Sequence, residues 1–111
     1  MTTGPYRKLI RYQVRPERAG LNRQLLTKLV DDLHRTTPVD YGFLALQLGE
    51  GDFLHVSLVD RPDGVAPLHE LEGFQAWSGD LAGRTISGPD FEDARFMASY
   101  EPWRIAKVFE K

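Results

Sequence analysis

Phe53-Leu54-His55-Val56-Ser57-Leu58-Val59 sets a histidine in the middle of an apolar run that reads as a buried strand. An imidazole titrates near pH 6.5 when unperturbed, so His55 could shuttle a proton, hold a hydrogen bond or ligate haem iron. Equally, it could be a neutral core histidine with both nitrogens satisfied. Ser57, one pleat further on the same face, is a candidate partner. Tyr12 lies mid-strand beside Ile10 and Val14, where its hydroxyl could donate to a substrate oxygen. Trp77 and Phe74 stand three apart on a helical stretch. With Phe53 they could wall a pocket for a flat ring system, or they could pack as plain core. Gln75 points away from that pair, about 100 degrees per residue along a helix.

Other chemistries find little support. Cysteine is absent, which excludes disulfides and thiolate catalysis. His34, His69 and Glu70 lack the i, i+4 spacing of a metal triad, so no metal site is expected. No phosphate loop, serine elbow or dinucleotide fingerprint occurs. With 14 basic and 16 acidic residues, the net charge of −2 gives no footprint for nucleic acid or an anionic membrane. No window approaches the roughly 20 apolar residues of a membrane helix, and Met1 to Pro5 carries no secretory run. The expectation is a soluble, cytoplasmic protein with no cofactor.

The elements that must position these residues follow from periodicity. Lys8 to Arg15 alternates, with Ile10, Tyr12 and Val14 on one face and Leu9, Arg11, Gln13 and Arg15 on the other. Leu21, Leu25, Leu26, Leu29, Val30 and Leu33 then form a helical stripe, leaving Arg23, Lys28, Asp31, Asp32 and Arg35 to solvent. Thr36-Thr37-Pro38 stops that helix. Strands over Tyr41–Leu48 and Phe53–Asp60 join through Gly49-Glu50-Gly51-Asp52 as a hairpin. A second helical region spans about Pro67 to Leu81, where Gly73 and Gly79 weaken it and could split it. Arg84 to Pro89 reads as loop and Asp93 to Tyr100 as the last strand. Trp103 to Lys111 is a tail.

One domain over residues 1–111, with a core of about 8–100, follows from this length. The βαββαβ order predicts a ferredoxin-like plait in the α+β class: a four-stranded antiparallel sheet with two helices on one face. Both faces of the hairpin strands are apolar, so the uncovered face wants a partner. A homodimer packing sheet on sheet is the expectation, against a monomer whose tail covers that face. There, Arg11 and Arg95 are expected to pair with carboxylates such as Asp60, Glu92 or Asp93.

The chain resembles the dimeric α/β-barrel superfamily, in its antibiotic-biosynthesis-monooxygenase-like branch. The resemblance runs from about Lys8 to Tyr100. It rests on Ile10-Arg11-Tyr12-Gln13-Val14, on Phe53-Leu54-His55-Val56, and on Leu68-His69-Glu70-Leu71-Glu72-Gly73-Phe74-Gln75-Ala76-Trp77. It implies a dimer and a pocket between sheet and helices near His55 and Trp77. It also implies cofactor-independent, quinone-forming oxygenation or haem degradation as activities. Three readings stand. The first is a monooxygenase-like enzyme for a small planar aromatic or quinone-type molecule, with His55 as base or hydrogen-bond partner, Tyr12 as donor and Trp77, Phe74 and Phe53 as walls. The second is a non-catalytic module binding a small apolar ligand. The third is a haem-binding or haem-degrading protein using His55 or His69.

Overall fold

The computed structural model describes residues 6–98 and 100. Four strands, β1 (Tyr6–Val14), β2 (Tyr41–Leu48), β3 (Asp52–Val59) and β4 (Thr85–Ala94), form one antiparallel sheet in the order β2-β3-β1-β4. Helix α1 (Ala19–Thr36) joins β1 to β2; α2 (Glu72–Gly79) and the short α3 (Leu81–Arg84) lead from β3 into β4. This is the ferredoxin-like arrangement expected from the element order. No helix of the described residues is long and apolar enough to cross a membrane.

The core lies between the sheet and the helices. Tyr12 and Val14 of β1, Phe53 of β3, Ala19 and Leu26 of α1, Trp77 of α2 and Leu81 of α3 are its buried members. Helix α1 buries a narrower stripe than its leucines suggest: Ala19, Asn22, Leu26, Leu29 and Asp32, spaced three and four apart, face inward. Leu21 is exposed. Asp32, expected in solvent, is buried instead, because it serves the second helix. Its Oδ2 accepts the Gly73 backbone N–H at 2.7 Å, and its Oδ1 accepts from Arg35 at 2.9 Å.

That contact also explains Gly73. A Cβ there would lie 2.6 Å from the Leu29 Cα and 2.7 Å from its nitrogen, so only glycine lets α2 approach α1 this closely. The carboxylate of Asp32 then faces the positive end of α2. The Arg35 hydrogen bond, followed by that from Gly73, holds its pKa below the ordinary 3.8.

Two boundaries differ from the sequence reading. The second helix begins at Glu72 and not at Pro67, since residues 67–70 form turns. Its split after Gly79 agrees with the reading. The last strand runs over Thr85–Ala94 and not Asp93–Tyr100. Gly88-Pro89 looks like a break, yet β4 is an edge strand, where a missing N–H is tolerated at a bulge. The register against β1 shifts there, between the Arg11↔Asp90 and Gln13↔Ser87 pairs. Gly88 has φ +87°, and a side chain on it would meet the Arg11 carbonyl at 2.7 Å. Past β4, the chain is exposed at Phe96, Met97 and Tyr100. The tail over 101–111 lies outside the described residues.

The outer face of the sheet carries Leu9, Leu44, Leu54 and Val56 half-buried, with Leu46 and Leu48 exposed. Arg11 is exposed on the same face, and neither it nor Arg95 makes an ion pair among the described residues. The expected carboxylate pairing is therefore absent among the described residues, where a solvated guanidinium needs no counter-ion. Asp93 pairs instead with Lys8, at 3.8 Å.

Candidate functional site

A cavity of about 620 Å³ opens between the sheet and α2. Its floor is β1, β2 and β3, through Ile10, Phe43, His55 and Ser57; its far wall is Phe74, Trp77 and Leu81. Phe43 and Trp77 each bring a ring centroid to 5.2 Å from that of His55, and Phe74 stands 6.0 Å from Trp77. The alternation of β3 aims His55 at this side, and the helical spacing of residues 74 and 77 puts both rings over it.

Behind His55 lies a buried polar chain. The Tyr12 hydroxyl meets three groups: Asn22 Nδ2 at 2.9 Å, Trp77 Nε1 at 3.2 Å and His55 Nε2 at 2.8 Å. Protons can be assigned by counting. The Arg84 Nε, 3.2 Å away, can only donate, so the Asn22 atom facing it is Oδ1 and the amide nitrogen turns to Tyr12. Trp77 Nε1 likewise only donates. The two lone pairs of the Tyr12 oxygen are then taken, and its one proton goes to His55 Nε2. His55 must carry its own proton on Nδ1. Every hydrogen in the sequence Arg84, Asn22, Tyr12 runs the same way, toward His55, a residue of the cavity lining.

Burial agrees with that assignment. Tyr12 is 4% exposed, His55 2%, and Asn22 and Arg84 0%. Desolvation pushes the His55 pKa down to about 4, so the imidazole is neutral at pH 7. Burial also raises the Tyr12 pKa, against the opposing hydrogen bonds of Asn22 and Trp77 and the charge of Arg84. The phenol therefore stays protonated and donating. No described group accepts from His55 Nδ1.

Arg84 is the unusual member. Its Nη2 donates to the Trp77 carbonyl at 2.6 Å, near the negative C-terminal end of α2. Its Nη1 has no partner among the described residues, and no described carboxylate lies within ion-pair distance. Desolvation lowers its pKa, while Asp80 attracts it from further off and Arg18 opposes. A buried cation thus stands at the closed end of the hydrogen-bond chain.

Of the residues singled out in the sequence, His55, Trp77 and Phe74 meet at the cavity wall. Tyr12 stands one layer behind His55. Phe53 stacks on Tyr12 at 5.6 Å, in the core and outside the cavity lining. The partner of His55 is Tyr12, not Ser57, whose hydroxyl turns to Tyr41 at 2.9 Å. Asn22 and Arg84 escaped sequence reading. Asn22 left one trace, a polar residue in register with Ala19, Leu26 and Leu29. His69 is exposed and packs edge-on to Phe74 at 6.0 Å. Among the described residues no three His, Asp or Glu side chains gather as a metal site.

No family model matches the sequence, and no curated protein does. Solved structures do. A candidate antibiotic biosynthesis monooxygenase from Caulobacter crescentus superposes with a TM-score of 0.70 at 14% identity, covering 86% of this chain and 92% of that one. The chain shares its fold. A protein of unknown function from Nitrosomonas europaea gives a TM-score of 0.65 at 15% identity, over 91% and 97% of the two chains. A conserved protein from Methanosarcina mazei gives 0.67 at 11%, over 84% and 93%. The scaffold expected from the resemblance is the one found.

Proposed function

We propose that the cavity binds a small planar aromatic or quinone-type molecule, and that the protein oxygenates it in the manner of a cofactor-independent monooxygenase. The observation that carries this reading is the uncommitted Nδ1–H of His55, at the end of a one-way hydrogen-bond chain and in an aromatic-walled cavity. Phe43, Phe74 and Trp77 supply faces for a flat ring.

In this reading His55 is a donor rather than a base, because the nitrogen that Tyr12 leaves free already holds the proton. Its work is to stabilise charge that develops on a ligand oxygen as the substrate anion gives electrons to dioxygen. Tyr12 acts through His55, fixing its tautomer. Arg84 and Asn22 polarise the pair from behind. The balance needs no external reductant: a phenol-type ring carbon takes one oxygen atom as a new carbonyl, the other leaves as water, and the substrate supplies all four electrons. The Caulobacter protein of the same fold carries the name of an antibiotic biosynthesis monooxygenase candidate.

The test is oxygen uptake with 1-naphthol, without added metal or flavin. The reading predicts consumption of one O2 per 1,4-naphthoquinone formed, lost in His55→Leu. Binding of 1-naphthol without turnover would leave a ligand-binding module. The exposed Leu46 and Leu48 and the half-buried apolar residues around them support a homodimer through the outer sheet face. A monomer-sized species in light scattering at micromolar concentration would refute it.

A further inference from the structure

The polar groups of the cavity can be checked one by one for what they still offer. The Tyr6 hydroxyl donates to the Pro62 carbonyl at 3.1 Å, and Ser78 donates to the Phe74 carbonyl at 2.8 Å. Lys8 pairs with Asp93 at 3.8 Å, and the Asp63 carboxylate accepts from the Val65 N–H. Ser57 donates to the oxygen of Tyr41 at 2.9 Å. That leaves Tyr41. Its oxygen accepts from Ser57, and no described group accepts the Tyr41 proton. Burial raises its pKa to about 12, so the proton is present at any working pH.

We infer that Tyr41, held by Ser57, is a second anchor of the cavity, and that the ligand is a flat molecule with two oxygen acceptors at opposite ends, one for His55 and one for Tyr41. This rests on the reading of the cavity given above. The spacing supports it. His55 and Ser57 lie two residues apart on one face of β3, about 7 Å along the strand. The Tyr41 hydroxyl sits at Ser57, not at its own register partner Val59. The two uncommitted donors are thus separated by about the width of a small fused-ring system. The Phe43 ring lies between them, stacked on Tyr41 at 6.4 Å and edge-on to His55 at 5.2 Å. Two outward-facing donors favour a dicarbonyl over a diol, whose protons would have only the hydroxyl oxygens of Ser57 and Tyr41 to meet on the floor.

The two probes are 1,4-naphthoquinone and 1-tetralone, which share a bicyclic skeleton but carry two carbonyls and one. The chain has no cysteine, so the quinone meets no thiol. Calorimetry on the wild-type protein should show the quinone binding about tenfold tighter, the ratio expected of one added net hydrogen bond. Tyr41→Phe keeps the ring and should erase that preference while leaving 1-tetralone affinity unchanged. A second measurement needs no variant. In infrared difference spectra of bound quinone with one carbonyl carbon-13 labelled, both carbonyl stretches should fall below their positions in an apolar solvent. A single shifted carbonyl, or an equal loss for both probes in Tyr41→Phe, would overturn the two-anchor inference and leave the cavity reading intact. If neither probe binds, the two-anchor inference falls; if 1-naphthol fails to bind as well, the cavity reading falls with it.

Discussion

Tyr12→Phe is the perturbation that bears most directly on the buried chain. It removes one oxygen and nothing else. The ring keeps its stack on Phe53 and its edge contacts with His55 at 5.1 Å and Trp77 at 5.8 Å, so packing changes by less than a methyl group. The polar loss is large by comparison. Asn22 Nδ2, Trp77 Nε1 and His55 Nε2 all lose their partner in an interior where each of those residues is at most 7% exposed. An orphaned buried group costs about 1–3 kcal/mol. Three of them, allowed some local relaxation and shared water, give about 4 kcal/mol, a large part of the total stability of about 5–15 kcal/mol of a small domain. Urea unfolding followed by circular dichroism measures this as a fall in midpoint with an unchanged slope. A loss below about 1 kcal/mol would mean that the hydroxyl does not join three buried groups, and the proton assignment at His55 would fall with it.

His55 has its folded-state pKa depressed from 6.5 to about 4, so the unfolded chain takes up the proton first as pH falls. Stability is full above pH 6.5 and declines by about 3 kcal/mol on the way down to pH 4; denaturant midpoints at half-unit steps should show this, and His55→Leu should flatten that window. Asp32 acts lower: its depressed pKa contributes stability that is present above 3.8 and lost as pH falls further, and Asp32→Asn should remove that acid step in the same measurement. Gly73→Ala should destabilise by about 3 kcal/mol, against its better helix propensity, because the new methyl forces α2 off Leu29. An unchanged urea midpoint would refute the close approach of the helices.

Periodicity made β1, α1 and the β2–β3 hairpin legible, because each alternates or repeats cleanly over eight residues or more. β4 was not, since Gly88-Pro89 carries the same letters whether it breaks a strand or bulges an edge. The start of α2 is illegible for a related reason: Pro67 and Leu68 look like a first turn, but the contact that fixes the start, Asp32 with Gly73, spans 41 residues. The site divides the same way. His55 stood out as an imidazole in an apolar strand. Its partner did not, because same-face neighbours on one strand project in parallel about 7 Å apart, whereas Tyr12 reaches it diagonally from β1, opposite Phe53. Arg84 bonds Asn22 across 62 residues, and no local pattern announces that. Charged residues at the end of a helix usually read as solvated, so a buried one is visible only once the chain has folded around it.

The central claim is that His55 is neutral, protonated on Nδ1, and offers that proton to a ligand in the cavity. Nitrogen-15 correlation spectra of histidine-labelled protein at pH 7, with and without 1,4-naphthoquinone, address it directly. The account predicts a protonated Nδ1 and an unprotonated Nε2 in the free protein, with the quinone shifting the Nδ1–H signal and leaving the tautomer unchanged. A proton on Nε2, or an imidazolium at neutral pH, would contradict it.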